Sequence, residues 1–243
     1  MTKKIFLKMV ILLLFQVFTI QFLNAQPIGY ASVNIMGQNG TTGGAGGPVV
    51  TVSNSSDLID YMSRSGPYII QVSGMIKVPG GMHQVTSNKT VIGIGSDAGI
   101  TGGGLNVGLP IDNSISSPPA NAVYNVIIRN LTFEEANDDC INVMMFTHHF
   151  WIDHNTFLST ADGAVDIKRG SNYGTVSYNH FVDIHKTCLL GASDDAANEA
   201  QDTNRLKVTY HHNYFDNCQS RQPRVRWGEP LLMKVRYQVV TIH

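Results

Sequence analysis

The sequence predicts an all-β chain wound as a parallel β-helix, with one short helix covering its N-terminal end. Three observations predict it. Four segments repeat a strand-like pattern that closes on an Asn and then a Phe: NVIIRNLTF (125–133), HFWIDHNTF (149–157), YGTVSYNHF (173–181) and KVTYHHNYF (207–215). Phe133, Phe157, Phe181 and Phe215 are separated by 24, 24 and 34 residues, and Asn130, Asn155, Asn179 and Asn213 keep nearly the same rhythm. One strand covers only about five or six residues, and no helical period fills the gaps of the first three units, so each unit reads as a coil of several short strands. The composition agrees: only 14% of residues are charged and 23 of 243 are Gly, which suits a turn-rich β protein and not a helical bundle. Finally, the few charges fall at matching stations after each Phe, as stacking coils would require.

The elements follow in chain order. Residues 1–25 read as an export leader: Lys3, Lys4 and Lys8 precede the apolar MVILLLFQVFTIQFL (9–23), and a small residue, Ala25, offers a cleavage point. A membrane anchor is the alternative, but the apolar run is broken by Gln16 and Gln21 and is short for a spanning helix. The expectation is a secreted protein, extracellular or periplasmic, with a mature domain over 26–243 and no membrane partner after cleavage. Without the three leader lysines the 17 basic residues fall to 14 against 18 acidic ones, a net charge of −4, which gives nucleic acid no purchase. GTTGGAGGPV (40–49) is a turn-rich entry; it lacks the Lys-Ser/Thr pair of a phosphate loop. SSDLIDYMSRSG (55–66) reads as the capping helix, starting at Ser and stopping at Gly66, placed to cover exposed strand edges. YIIQVSGMIKV (68–78) and KTVIGIGSDAGITG (89–102) read as early coils.

Stacked coils bring equivalent residues about 4.8 Å apart. The four Phe are then expected to form an interior aromatic ladder, and the four Asn a hydrogen-bonded ladder at a turn. The acidic stretch GASDDAANEAQD (191–202) accounts for the longer third interval as a loop. His154, Tyr178 and His212 stand in similar register and are expected to stack; zinc there is a weaker alternative. Cys140, Cys188 and Cys218 could supply one disulfide after export, but read better as small core residues.

The charge stations carry the chemistry. Asp139 lies six residues after Phe133, Asp162 five after Phe157, Lys186 five after Phe181 and Arg221 six after Phe215. They form one strip along the stack, acids at one end and cations at the other. With Asp166 added, three carboxylates within two coils repel one another unless a cation intervenes. Such oxygen donors suit Ca²⁺ better than Mg²⁺, which demands tighter octahedral geometry. SRQPRVRWG (220–228) adds Arg224 and Arg226, whose forks suit carboxylates. The strip therefore fits a polyanion with regularly spaced carboxylates.

Taken in order, WIDHNTF, DGAVDIK, GTVSYNHF, HKTCLLG, VTYHHNYF and RQPRVRWG resemble the pectate lyases of the right-handed parallel β-helix type, and TGGAGG, SNKTVIGIG and NVIIRNLTF extend the resemblance to roughly residues 40–228. The resemblance implies Ca²⁺-assisted β-elimination of de-esterified polygalacturonate, by a monomer. By position it implies Asp139, Asp162 and Asp166 as calcium ligands, Arg221 as the base taking the proton from C5, and Lys186 as its catalytic partner on the substrate carboxylate. Lys168 and Arg226 are implied as further substrate contacts. An arginine base is chemically awkward, because free guanidinium loses its proton only above about pH 12. Two departures stand out. An acid often found two residues before the Asp139 position is Asn137 here, with Asp138 out of step. After RWG, the tail EPLLMKVRYQVVTIH (229–243) does not resemble the family's continuation, so the stack is expected to lack its C-terminal coils. Three other readings remain open: a pectin lyase acting on methyl esters without calcium, a β-helical polygalacturonase suggested by DDCINV (138–143), and a carbohydrate-binding β-helix without activity.

Overall fold

The computed structural model describes residues 26–234 and 236–238; the expected leader lies outside them. A 3-10 turn (Gly29–Ser32) leads into a small antiparallel hairpin, β1 (Asn34–Ile35) and β2 (Gln38–Asn39). The winding then begins with β3 (Val49–Val52), helix α1 (Ser55–Ser63), β4 (Tyr68–Lys77), β5 (Met82–Val85), β6 (Lys89–Thr101) and β7 (Gly104–Val107). Regular coils follow: β8 (Tyr124–Arg129), β9 (Thr132–Glu134), β10 (Ile141–Val143); β11 (His148–Asp153), β12 (Thr156–Phe157), β13 (Gly163–Ile167); and β14 (Asn172–Ser177), β15 (His180–Val182), β16 (Lys186–Leu190). After helix α2 (Ala196–Asp202) come β17 (Val208–His211), β18 (Tyr214–Asp216), β19 (Arg224–Val225), β20 (Leu231–Met233) and β21 (Arg236–Gln238).

All strand pairs outside the hairpin are parallel, and they form three faces of a parallel β-helix. One face stacks β3-β4-β6-β8-β11-β14-β17-β20, and a second stacks β9-β12-β15-β18-β21 on the far ends of the long strands β4 and β6. The third stacks β5-β7-β10-β13-β16-β19. Alternation along each strand sends one set of side chains inward. On the third face Ile141, Val143, Val165, Ile167, Cys188 and Leu190 are buried, while Asn106, Asn142 and Asp166 fall in one column between them. Among the described residues, no helix is long and apolar enough to cross a membrane.

The aromatic ladder is present. Phe133, Phe157, Phe181 and Phe215 are register partners, buried and stacked at 5.2, 4.9 and 4.9 Å with ring planes within 11°. The Asn ladder has three rungs and not four. Asn155 Nδ2 donates to Asn179 Oδ1, and Asn179 Nδ2 to Asn213 Oδ1, each at 3.1 Å; the three amides also bind the backbone of the coil behind. Asn130 is one residue out of step: it shares its place with His154, Tyr178 and His212, all at left-handed φ, and Leu131 takes the first rung. The reason is that an Asn tolerates the left-handed corner as readily as the ladder position beside it. Outside that corner the rings of His154, Tyr178 and His212 stack at 4.7 and 4.6 Å.

Helix α1 ends earlier than Gly66 and is capped by Asn54, whose side chain accepts from Asp57 N. Leu58 and Met62 are fully buried under it in the first coils. The inserted loop carries α2, and Gln201 Nε2 at its end donates to the carbonyls of Asp112 and Ile115, tying down the long loop between β7 and β8. The three cysteines carry free thiols; Cys140 and Cys188 sit in the core. Two described strands after Gly228 continue the stack: β20 pairs with β17 and β21 with β18, despite their unfamiliar sequence.

Candidate active site

The third face positions the site. In its register Asp139 lies level with Gly163, Gly163 with Lys186, and Lys186 with Ser220, so Asp162 and Arg221 fall one residue to either side of a single column. Winding therefore brings Asp162 and Arg221, 59 positions apart, within 3.9 Å of each other.

The contacts are specific. Lys186 Nζ donates to Asp162 Oδ1 at 2.7 Å. Arg221 Nη1 stands 3.9 Å from Asp162 Oδ1 and 3.8 Å from Asp166 Oδ2. Lys168 Nζ lies 3.7 Å from Asp139 Oδ2 and 3.8 Å from Asp166 Oδ2. Arg169, next in sequence, turns the other way and donates to Asn113 and Gln201. Arg221 itself is held at φ +61°, the left-handed conformation that recurs at the corners of the winding.

Gly163 is why the carboxylates can converge. Asp139 Oδ1 accepts from Gly163 N at 2.8 Å. A Cβ on Gly163 would fall 2.3 Å from Asp166 Oδ1 and 2.8 Å from Asp139 Oδ1. The price of convergence is electrostatic. Asp166 is pushed up to about 7, first by burial and then by Asp139, against the pull of Lys168 and Arg221. Burial also raises Asp139, opposed by Lys168 and by the Gly163 N–H. Asp166 Oδ1 is enclosed without a hydrogen-bond partner.

Asp138, Asp139 and Asp162 offer carboxylate oxygens that all lie within 4.8 Å of one another. An all-carboxylate donor set with residual repulsion and an unpartnered Asp166 oxygen fits a hard divalent cation. Asp138 is the residue that sequence reasoning left out of step; the structure brings it to the cluster. Asn137 instead accepts from Gly81 N on the preceding turn. No periodicity could have separated these neighbours, because a loop and not a strand carries them. An open cavity of about 490 Å³ lies over the acids, walled by Asn106, Asn142, Lys168 and the apolar Leu109–Ile111 stretch.

Arg226 is not brought to this cluster. Its Nε lies 3.0 Å from Asp194 Oδ1 and its Nη1 donates to Ala192 O, so it is engaged by the inserted loop. Asp139, Asp162, Asp166, Lys168, Lys186 and Arg221 do come together.

Comparison with known proteins places this arrangement. A family model described as pectate lyase matches residues 3–231. A pectate trisaccharide-lyase of Thermotoga maritima is 44% identical over 219 residues, covering 85% of this chain and 55% of the relative. Pectate lyase plyB of Emericella nidulans is 37% identical over 212 residues, covering 83% and 58%. A pectate lyase from Bacillus sp. N165, solved in complex with trigalacturonate, matches with a TM-score of 0.68 at 32% identity, over 85% of this chain and 66% of that one. The chain thus spans a little over half the length of the curated relatives it matches. On the family match, the identities and the shared parallel winding, the chain belongs to the pectate lyase family.

Proposed function

We propose that the chain is a secreted pectate lyase that cleaves de-esterified polygalacturonate by calcium-assisted β-elimination. The observation that carries this reading is the juxtaposition of a carboxylate cluster with Lys186 and Arg221 on one face of the stack. Export rests on the leader pattern of residues 1–25. Asp139, Asp162 and Asp166, with Asp138 beside them, would hold the calcium. When bound, the ion would neutralise the uronate carboxylate and so acidify the neighbouring C5–H.

The remaining steps belong to the chain's own residues. Lys168 and Lys186 offer ammonium donors to carboxylates of the polymer and orient it along the column. Arg221 lies between Asp162 and Asp166; after releasing its own proton to water it would take the C5 proton as the neutral guanidine. The C5–H electron pair becomes the C4–C5 double bond, the C4–O bond breaks, and the departing oxygen takes a proton from water. Lys186 stabilises the charge that develops on the carboxylate meanwhile. Three clustered acids would serve no purpose for a neutral methyl-ester substrate, which is why pectate ranks above pectin.

The test is to incubate the purified chain with polygalacturonate and follow ultraviolet absorbance. A rise that a chelator abolishes, and that Arg221→Ala removes, supports the proposal. A rise indifferent to chelation would point to the pectin lyase type, and new reducing ends without absorbance to hydrolysis.

A further inference from the structure

A second groove lies on the other side of the β7–β8 loop from the acid cluster. It consists of two cavities of about 260 and 500 Å³ that share Met36, Pro118 and His148 as walls. Its floor is a column of register partners, Tyr124, His148 and Asn172, the first residues of β8, β11 and β14. In each of these strands the next residue (Asn125, His149, Tyr173) takes a left-handed φ of 55–61°. That repeated bulge leaves Tyr124, His148 and Asn172 paired with one another, while Phe150 and Val126 turn into the core.

The polarity of this floor is fixed by its hydrogen bonds. His149 Nε2 lies 3.0 Å from the carbonyl of Val33, which can only accept, so Nε2 carries a proton. His149 Nδ1 lies 2.9 Å from His148 Nδ1. In the neutral ring His149 Nδ1 must then accept, and His148 Nδ1–H donates to it. His148 Nε2 is left as a bare lone pair. Burial pushes His148 down to about 4, which keeps the ring neutral. The residue is 6% exposed, stacks on Tyr124 at 5.6 Å, and has no protein partner for Nε2 among the described residues. On the adjacent coil, Asn172 Oδ1 accepts from Tyr173 N and Lys207 N, which sets the amide and leaves its Nδ2 hydrogens without a partner among the described residues. An acceptor and a donor, both on nearly buried side chains, thus line the same groove from adjacent strands, whose backbones run about 4.8 Å apart.

The chemistry selects the ligand. An anion would meet the His148 lone pair, and the one cation in the wall, Arg205, keeps its charge but turns its Nη1 and Nη2 hydrogens to the carbonyls of Ser116, Ala200 and Gln201. No carboxylate or thiol joins His148 to make a metal site there. Neighbouring hydroxyls on a sugar ring supply one donor and one acceptor at a spacing that two bonds of about 2.8 Å can bridge. Pro118, Pro119 and Met36 supply the apolar contact that the ring's C–H groups need. We infer that this flank groove is a second carbohydrate site, which takes a neutral sugar unit through paired hydroxyls donating to His148 Nε2 and accepting from Asn172 Nδ2. It needs neither calcium nor the acid cluster.

Saturation-transfer NMR of the full chain, with calcium chelated, tests this with D-galactose and with D-galacturonate, the same ring carrying a carboxylate. The expected result is transfer to galactose, with galacturonate no stronger, since it offers the same ring hydroxyls and its carboxylate gains nothing from the His148 lone pair. His148→Phe and Asn172→Leu should each abolish transfer with the circular dichroism spectrum unchanged. On the unmodified chain, the ¹⁵N resonance of His148 Nε2 should be that of an unprotonated ring nitrogen and move when galactose is added. No transfer to galactose, stronger transfer to galacturonate, transfer that survives both substitutions, or a protonated and unresponsive Nε2 would each overturn the assignment.

Discussion

At the scale of single residues, the account rests on how closely carboxylates can be packed. Gly163 has the only side chain small enough, because a methyl group there would meet both Asp139 and Asp166. Gly163→Ala should keep the fold and lose calcium affinity by at least about tenfold, measured by titration calorimetry. Asp166 makes that affinity depend on pH. Its folded pKa of about 7 lies above the ordinary carboxylate value of about 3.9. Between these values the calcium-free folded chain holds a proton that the unfolded chain has lost, so stability falls as pH rises through the window. Calcium must displace that proton, so its affinity should fall about tenfold per pH unit well below pH 7, read from titrations at pH 8, 6 and 5. Asp139, Asp162, Lys186 and Arg221 were legible in the sequence through their distance from each Phe, and Lys168 only through the family resemblance. Asp138 was not, because an Asp-Asp pair in a loop gives no sign of which carboxylate turns inward. Nor was the engagement of Arg226 with Asp194, which depends on how the inserted loop folds back.

At the scale of elements, the ladders hold the coils in register and so hold the site. Asn179 is the central rung: it accepts from Asn155 N and Nδ2 and donates to Ile152 O and Asn213 Oδ1. Asn179→Leu strands four buried polar groups, two of them backbone, and should cost about 3 kcal/mol or more in denaturant unfolding. Asn130 makes one side-chain bond, to Gly93 O, from a left-handed corner. Asn130→Gly should therefore cost no more than about 1 kcal/mol. The contrast separates the two positions that the sequence rhythm merges. The 24-residue spacing is a reliable guide to register because identical Phe side chains must stack; an Asn is ambiguous because it suits both the corner and the rung. The histidines next to each other in β11 read only as strand residues. Their tautomers, and with them the polarity of the flank groove, depend on a carbonyl 116 residues away in the chain.

At the scale of the whole molecule, winding converts sequence separation into adjacency, so binding at the acid column should stabilise several coils at once. Calcium at about a hundred times its dissociation constant should add about 2.7 kcal/mol to unfolding, and Asp166→Asn should remove most of that gain. The winding itself was readable far from the site, including the insertion at 191–202. The last strands were not, because Leu231–Met233 and Arg236–Gln238 pair by backbone register without the familiar side chains. The most direct measurement is a crystal of Arg221→Ala soaked with calcium and trigalacturonate. The account predicts a calcium ion on Asp139, Asp162 and Asp166, bridged to a uronate carboxylate that also meets Lys186. An acid column that takes up no saccharide, or that stays empty of metal at saturating calcium, would contradict it.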